Sequence, residues 1–383
     1  MYSMNSNYSR RTLLKIITGG VFSIAALLFS RNRNSRKLKK MAKDNHSILS
    51  ITELPETGPW PTEDPFLFCV HHNDNYPAAK DDLSPNVSLS GRHLGNDFSN
   101  KDGWSMYHGQ KVPGFPRHPH RGFETLTVVS KGFIDHADSL GASARYGDGD
   151  AQWLTAGDGI NHSEMFPLFS QNGNNKLDFF QIWLNLPSYN KRVEPNFEMY
   201  WEHEIPKISS NLNGNKNVQV EIITGDYLDF SSPIAPKNSW ANNKKNDVAV
   251  WIIRLDRNGK FALPATKSGA NRNLYVLKYS NLEIDGQSIP GGSMVTLKSS
   301  KSAVLKNFGT KTKILMLQGA PINEPVVKYG PFVMNTQSEI EQAFYDYNRT
   351  EFGGWKWGNS DPVHGSKKEK FAKLINGDIN KPL

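Results

Sequence analysis

The chain has 383 residues, 37% apolar and 21% charged, which fits a soluble globular protein of roughly two domains. Its single cysteine, Cys69, excludes an intramolecular disulfide and a thiolate metal cage. The formal net charge of +8 is concentrated at the start: residues 1–40 hold nine basic residues and no acid, which takes residues 41–383 down to −1 and excludes a broad nucleic-acid footprint on the folded body.

The leader comes first. SRRTLLK, Ser9 to Lys15, resembles a twin-arginine export signal. The apolar run from Ile16 to Ser30 spans about 15 residues, short of the ~20 that cross a bilayer, and glycine and serine dilute it as in a signal peptide. A basic cluster follows, and no A-x-A cleavage site stands near Ser30. The expectation is export in the folded state, to a periplasmic product or one anchored through residues 10–30. Translation from Met41 would instead leave a cytoplasmic protein.

Beyond the leader the chain reads as strands. Short apolar or alternating runs recur in order: ETLTVVS, DAQWLTA, FFQIWLNL, VQVEIITG, VAVWIIRL, LYVLKYS, MVTLKS and KILMLQG. Gly, Pro, Asn and Asp punctuate them. Asp148-Gly149, between two such runs, predicts a hairpin. Ser209–Asn217 and Lys237–Asn246 read as long polar loops. One helix is predicted near the end, with Thr336 and Glu339 as its capping box and Ile340, Ala343, Phe344 and Tyr347 on one face. This pattern predicts an all-β protein of sandwiches or barrels, with a helix near the C-terminus. The expected divisions are a leader and linker (1–45), a first barrel (46–204), a second (205–325) and a C-terminal segment (326–383).

Two short motifs carry chemistry. FPRHPHRGFET holds His118 and His120, and GINHSEM holds His162 and Glu164. Residues i and i+2 of a strand share a face, so each pair enters a barrel interior together. Three imidazoles and one carboxylate make a donor set that first-row divalent metals accept with positions left open. Other candidates receive plainer readings. His136 is expected to be a surface or packing residue, and His71, His72 and His108 could edge the pocket. Asp148 and Asp150 belong to a turn. Gln152 and Gln181 are candidate partners for the second ring nitrogens of ligating histidines.

HPHRGFET, followed by GDAQWLTAGDGINHSEM, resembles the pirin family of the cupin superfamily. QIWLNLP and EPVVKYGPFVMNTQSEIEQAFYDYNRTEFGGW extend the resemblance, which runs from about Pro65 to Trp357. It implies an all-β bicupin, two jelly-roll β-barrels in tandem with a C-terminal helix, whose first barrel holds one divalent metal on His118, His120, His162 and Glu164, with Fe(2+) expected and Ni, Mn, Cu or Zn as alternatives. Glu124 occupies the position of a ligand in other cupins but not in pirins. The resemblance further implies a dioxygenase of the quercetin 2,3-dioxygenase type, taking a flavonol or related phenol and dioxygen, with Glu164 also accepting the substrate proton. A second implication, of another class, is a redox-sensitive regulator that binds partner proteins. A monomer without nucleic-acid contacts is expected. No histidine lies between Glu204 and Val363, so the second barrel cannot repeat the site.

Overall fold

A computed structural model describes residues 47–209, 217–267 and 269–383. The leader read above as an export signal and most of the first polar loop lie outside the described residues.

The chain opens with β1 (Ile48–Glu53) and then builds its first half from β2 (Phe66–Tyr76), β3 (Gly114–His120), β4 (Phe123–Lys131), β5 (Phe133–Asp138), β6 (Ser143–Gly147), β7 (Ala151–Thr155), β8 (Ile160–Met165) and β9 (Asn175–Asn185). These form two sheets in the orders β2-β9-β4-β7 and β3-β8-β5-β6. Apart from the β5–β6 hairpin, consecutive strands alternate between the two sheets in the manner of a jelly roll. β10 (Asn196–Tyr200) extends the first sheet beside β7.

The second half repeats the same order. β11 (Lys207–Ser209) and β12 (Val218–Thr224) lead in, and a short β13–β14 hairpin (Asp226–Tyr227, Phe230–Ser231) follows. Then β15 (Ala249–Asp256), β16 (Lys260–Leu263), β17 (Asn271–Val276), β18 (Asn281–Ile284), β19 (Gln287–Pro290), β20 (Ser293–Leu297), β21 (Ala303–Asn307) and β22 (Lys311–Gly319) form sheets ordered β15-β22-β17-β20 and β16-β21-β18-β19. The two halves therefore share one topology. The chain ends cross over. β1 pairs with β20 of the second half, while β25 (Phe371–Lys373) pairs with β6 of the first.

Hydrogen bonding does not close either half into a barrel among the described residues. Each half is a two-sheet jelly roll, so the expected tandem fold is present without hydrogen-bonded closure of the barrel. The reason lies in the packing. The larger sheets of the two halves lie against each other, and Leu126, Val128, Phe180 and Ile182 of the first share a core with Val250, Ile252, Leu315 and Leu317 of the second. Their opposite faces fill the interiors of their own sandwiches, as Phe179 and Leu154 do in the first and Trp251 and Ile253 in the second. Sheets buried on both faces read as unbroken apolar runs.

The Asp148-Gly149 turn is real but joins different strands from those expected. Both residues have positive φ (45° and 108°), yet β6 and β7 belong to facing sheets, so the turn crosses the sandwich rather than closing a hairpin. The carboxylates are used inside the turn region: Asp148 accepts from the Gly132 N–H, and Asp150 from those of Gly147 and Glu202. The helix forms as expected, α1 (Gln337–Thr350), with Thr336 and Glu339 in a reciprocal capping box and Ile340 and Ala343 buried. It packs on the hairpin of β23 (Val327–Tyr329) and β24 (Phe332–Met334). Gly122 admits that hairpin beside the histidine motif. Its φ is 86°, and a Cβ there would run into the Val333 carbonyl.

Candidate metal centre

Strands β3 and β8 are antiparallel neighbours, and His118 lies directly opposite His162. β3 is the edge of its sheet, which is why Pro116 and Pro119 can flank the first histidine without breaking a hydrogen-bond ladder. Between Phe115 and His118 the register shifts by one residue, a bulge of the kind that re-aims side chains.

The result is a knot of imidazoles. His118, His120 and His162 each bring a ring nitrogen to within 4.8 Å of the other two. Ring centres are 4.8 Å apart for His118 and His120, 4.4 Å for His118 and His162, and 4.9 Å for His120 and His162. His162 is fully buried, His120 nearly so and His118 half-buried, so the cluster meets solvent on the His118 side. His118 Nδ1 lies 2.8 Å from the Pro116 carbonyl, which leaves Nε2 for the cluster. His120 Nδ1 and both nitrogens of His162 are buried without a hydrogen-bond partner. Orphaned buried polar atoms cost about 1–3 kcal/mol each, so such a cluster calls for an occupant.

Electrostatics prepare these rings to act as donors. Burial pulls the His118 pKa down to about 4, opposed by the Pro116 carbonyl. Burial, reinforced by the neighbouring imidazoles, takes His120 and His162 well below the ordinary value. All three are neutral at pH 7 and free to ligate without first losing a proton.

Glu164 stands beside the cluster rather than within it. Its Oε2 is 3.9 Å from His162 Nε2, a spacing one ion could bridge. Gln181 donates to Oε2 (2.7 Å) and the Thr127 hydroxyl to Oε1 (3.2 Å), so both oxygens are held from the facing sheet. Burial raises the Glu164 pKa, opposed by His136, Gln181 and Thr127. Neither glutamine bonds a histidine ring: Gln181 serves Glu164, and the Gln152 side-chain oxygen accepts from the Tyr146 hydroxyl at 3.4 Å. Gln181 reaches the carboxylate rather than a ring nitrogen because β9 faces Glu164 across the sandwich.

His136 is the residue the sequence undervalued. It is fully buried, it lies opposite Glu164 on β5, and its ring is 5.6 Å from that of His162. The available signal was FIDHAD itself: with His136 facing inward, Asp138 must face inward too. His71 lies instead at the contact between halves, 2.9 Å from Asp178, and His72 stacks on Phe179. His108 reaches the cluster only through Phe115.

Aromatic rings wall the cluster. Trp183 is 5.4 Å from His120 and 4.3 Å from Phe123, and Phe68 stacks on it at 4.6 Å. In the second half, the strands corresponding to β3 and β8 are β16 and β21, and they place Phe261 and Leu263 against Leu305 and Ala303 in a closed apolar core.

Glu124 points the other way. It takes hydrogen bonds from Thr155 (2.7 Å) and Ser239 (2.6 Å), away from the histidines. Burial raises its pKa to about 7. A carboxyl raised in this way contributes stability below its unfolded value near 4.5 and loses it as pH climbs through 7. Glu124→Gln is therefore expected to be more stable than the parent at pH 8 by about 2 kcal/mol, with the gap closing toward pH 4.5. Denaturant midpoints of the two proteins at pH 4.5 and 8 measure it.

Comparison with known proteins agrees with this geometry. The sequence pattern of Pirin matches residues 60–184, and that of the Pirin C-terminal cupin domain matches 250–353. Human pirin is 32% identical over 252 residues, covering 64% of this chain and 80% of its own length.

The chain belongs to the pirin family. A relative from Pseudomonas aeruginosa named "Putative quercetin 2,3-dioxygenase" is 31% identical over 243 residues, covering 63% of this chain and 80% of its own length. A crystal structure of quercetin 2,3-dioxygenase from Acinetobacter baumannii matches with a TM-score of 0.63 at 25% identity, covering 80% of this chain and 98% of that one. Both pirin matches end before Gly354, so the terminal segment that pairs with β6 lies beyond the matched pattern.

Proposed function

We propose that this pirin holds one divalent transition metal on His118, His120, His162 and Glu164 and uses it to oxygenate a flavonol or related phenol. The observation that carries the reading is the trio of neutral, converging imidazoles, two of them buried with unpartnered nitrogens, whose donor chemistry suits such an ion. Iron(II) is the first candidate from the family resemblance, with Ni, Mn, Cu and Zn to be compared. When bound, the ion supplies Lewis-acid polarisation of a substrate oxygen and an open position for dioxygen.

The remaining work falls to the protein. Trp183 and Phe68 are half-buried and stacked, and they offer a planar phenol a face to lie on beside His120. The apolar wall keeps water from competing for the cluster. Glu164 Oε2 accepts the phenolic proton, and its raised pKa suits it to hold that proton during turnover. Gln181 and Thr127 keep the carboxylate turned toward the substrate side throughout.

The test is flavonol consumption by protein loaded in turn with each metal, followed by absorbance together with carbon monoxide release. Metal-dependent turnover is expected, and Glu164→Gln should reduce it by about 100-fold or more, the usual contribution of a positioned base. Fully loaded protein that leaves the flavonol intact with every metal would overturn the dioxygenase reading and leave a metal-binding role.

A further inference from the structure

Across from His162 and Glu164, on the neighbouring strand β5, sits a pair of side chains that the proposed chemistry does not use. His136 Nε2 lies 3.1 Å from Asp138 Oδ2. Asp138 is itself fixed, because its other oxygen accepts the backbone N–H groups of Leu140 (2.9 Å) and Ala142 (3.0 Å). The backbone of this strand is also gripped from outside: His364 Nε2 meets the His136 carbonyl at 2.7 Å, and Trp357 Nε1 donates to that of Asp138 at 2.8 Å. Phe197 packs edge-on against His136, 5.1 Å between ring centres. The imidazole has little freedom to turn.

Two nitrogens then stand out. His136 Nδ1 and His162 Nδ1 are both buried and both without a partner, on rings whose centres are 5.6 Å apart. An N–H···N bond of about 3 Å between two imidazoles puts their centres a little over 5 Å apart. His162 Nε2 faces Glu164, so Nδ1 is its rear nitrogen. A ligating histidine ordinarily gives its rear N–H to an acceptor, and removing that acceptor costs about 10–100-fold in metal affinity. With its own Nε2–H given to Asp138, His136 presents Nδ1 as that acceptor. One bond would pair both orphans.

We propose that Asp138, His136 and His162 form a hydrogen-bonded relay, with His136 as the positioning residue that sets the tautomer and direction of His162 toward the metal. This rests on the metal reading above. It requires the proton of His136 to sit on Nε2 and that of His162 on Nδ1.

The tautomers can be read directly in full-length protein labelled with 15N-histidine and loaded with Zn2+, by long-range proton–nitrogen correlation. Nε2–H on His136 and Nδ1–H on His162 are expected. A proton on His136 Nδ1 overturns the relay. Independently, His136→Phe keeps the ring volume and removes the acceptor. It should weaken Co2+ binding, measured by chelator competition, by about 10–100-fold and shift the Co2+ visible bands. Folded His136→Phe with parental affinity and bands overturns the relay while leaving the metal reading intact. Parent protein that binds neither ion overturns both. If His136→Phe does not fold, the tautomer measurement on the parent decides alone.

Discussion

His120→Ala is expected to purify without bound metal under conditions in which the parent carries one ion per chain. Structural zinc sites release about 10–16 kcal/mol across four ligands, so one imidazole is worth about 3 kcal/mol, more than a hundredfold in affinity. The loss is larger here than at an exposed site. His120 is 4% exposed and walled by Phe123 and Trp183, which leaves little room for water to replace the missing nitrogen. Stability gives a second, independent readout. An ion that binds only the folded chain stabilises it by about 4 kcal/mol when present at a thousand times its dissociation constant. Heating the parent with and without Co2+ should therefore show a clear rise in midpoint that His120→Ala lacks. The metal-free variant itself should be no less stable than the metal-free parent by more than about 1–2 kcal/mol, because the cavity it opens is offset by removing a buried unpaired nitrogen. A variant that retains its ion at parental affinity would remove His120 from the ligand set.

The eight apolar runs readable in the sequence all fall in the two sheets that pack against each other. ETLTVVS lies in β4, FFQIWLNL in β9, VAVWIIRL in β15 and KILMLQG in β22, and each buries both faces. The outer strands were far less legible as strands, although several are equally buried. β5 is FIDHAD and β8 is INHSEM, every residue of both inside, more than half of them polar. Hydropathy does not find such strands. Some of their buried polar groups are held by one another or by the C-terminal segment, as His136 is by Asp138 and Asp135 by the His364 N–H, and no local pattern encodes that. The candidate site was legible for a different reason. His118, His120, His162 and Glu164 obey the two-residue period of a strand, so the sequence alone predicts that each pair points one way.

What the period could not supply was depth across the sandwich. Gln181 is the residue opposite Glu164, and the His136 ring lies 5.6 Å from that of His162; both relations depend on which sheets stack and in what register. The same limit explains Asp148-Gly149. Its left-handed backbone was predictable from residue type, but whether the turn returns along its own sheet or crosses to the other is decided by the jelly-roll order.

Asp135→Ala should be among the most destabilising single changes in the molecule. Arg145 is 1% exposed and Asp135 fully buried, and they meet in a two-pronged ion pair, Nε to Oδ1 and NH2 to Oδ2, both at 2.7 Å. Removing one partner strands a buried charge and costs about 3–5 kcal/mol. For a domain of this size that lowers the unfolding midpoint by about 10 °C. The guanidinium also donates to the carbonyls of Gly365 and Lys367, and the carboxylate takes the His364 N–H at 2.8 Å. The pair thus fastens the segment after Trp357 onto the back of β5, the strand that bears His136 and Asp138. Faster tryptic cleavage among Lys367, Lys368 and Lys370 should accompany the loss of stability. Replacing both partners with apolar residues of similar volume, Asp135→Leu with Arg145→Met, should recover most of it, because no charge is then left buried and the exposed carbonyls of 365 and 367 can turn to water. The double variant separates the two effects of the pair. Recovery of the midpoint with persistent cleavage assigns the fastening of the segment to the hydrogen bonds that the two side chains make to residues 364–367, whereas a midpoint for Asp135→Ala within 1 or 2 °C of the parent would mean that the charges are not held unsolvated as described.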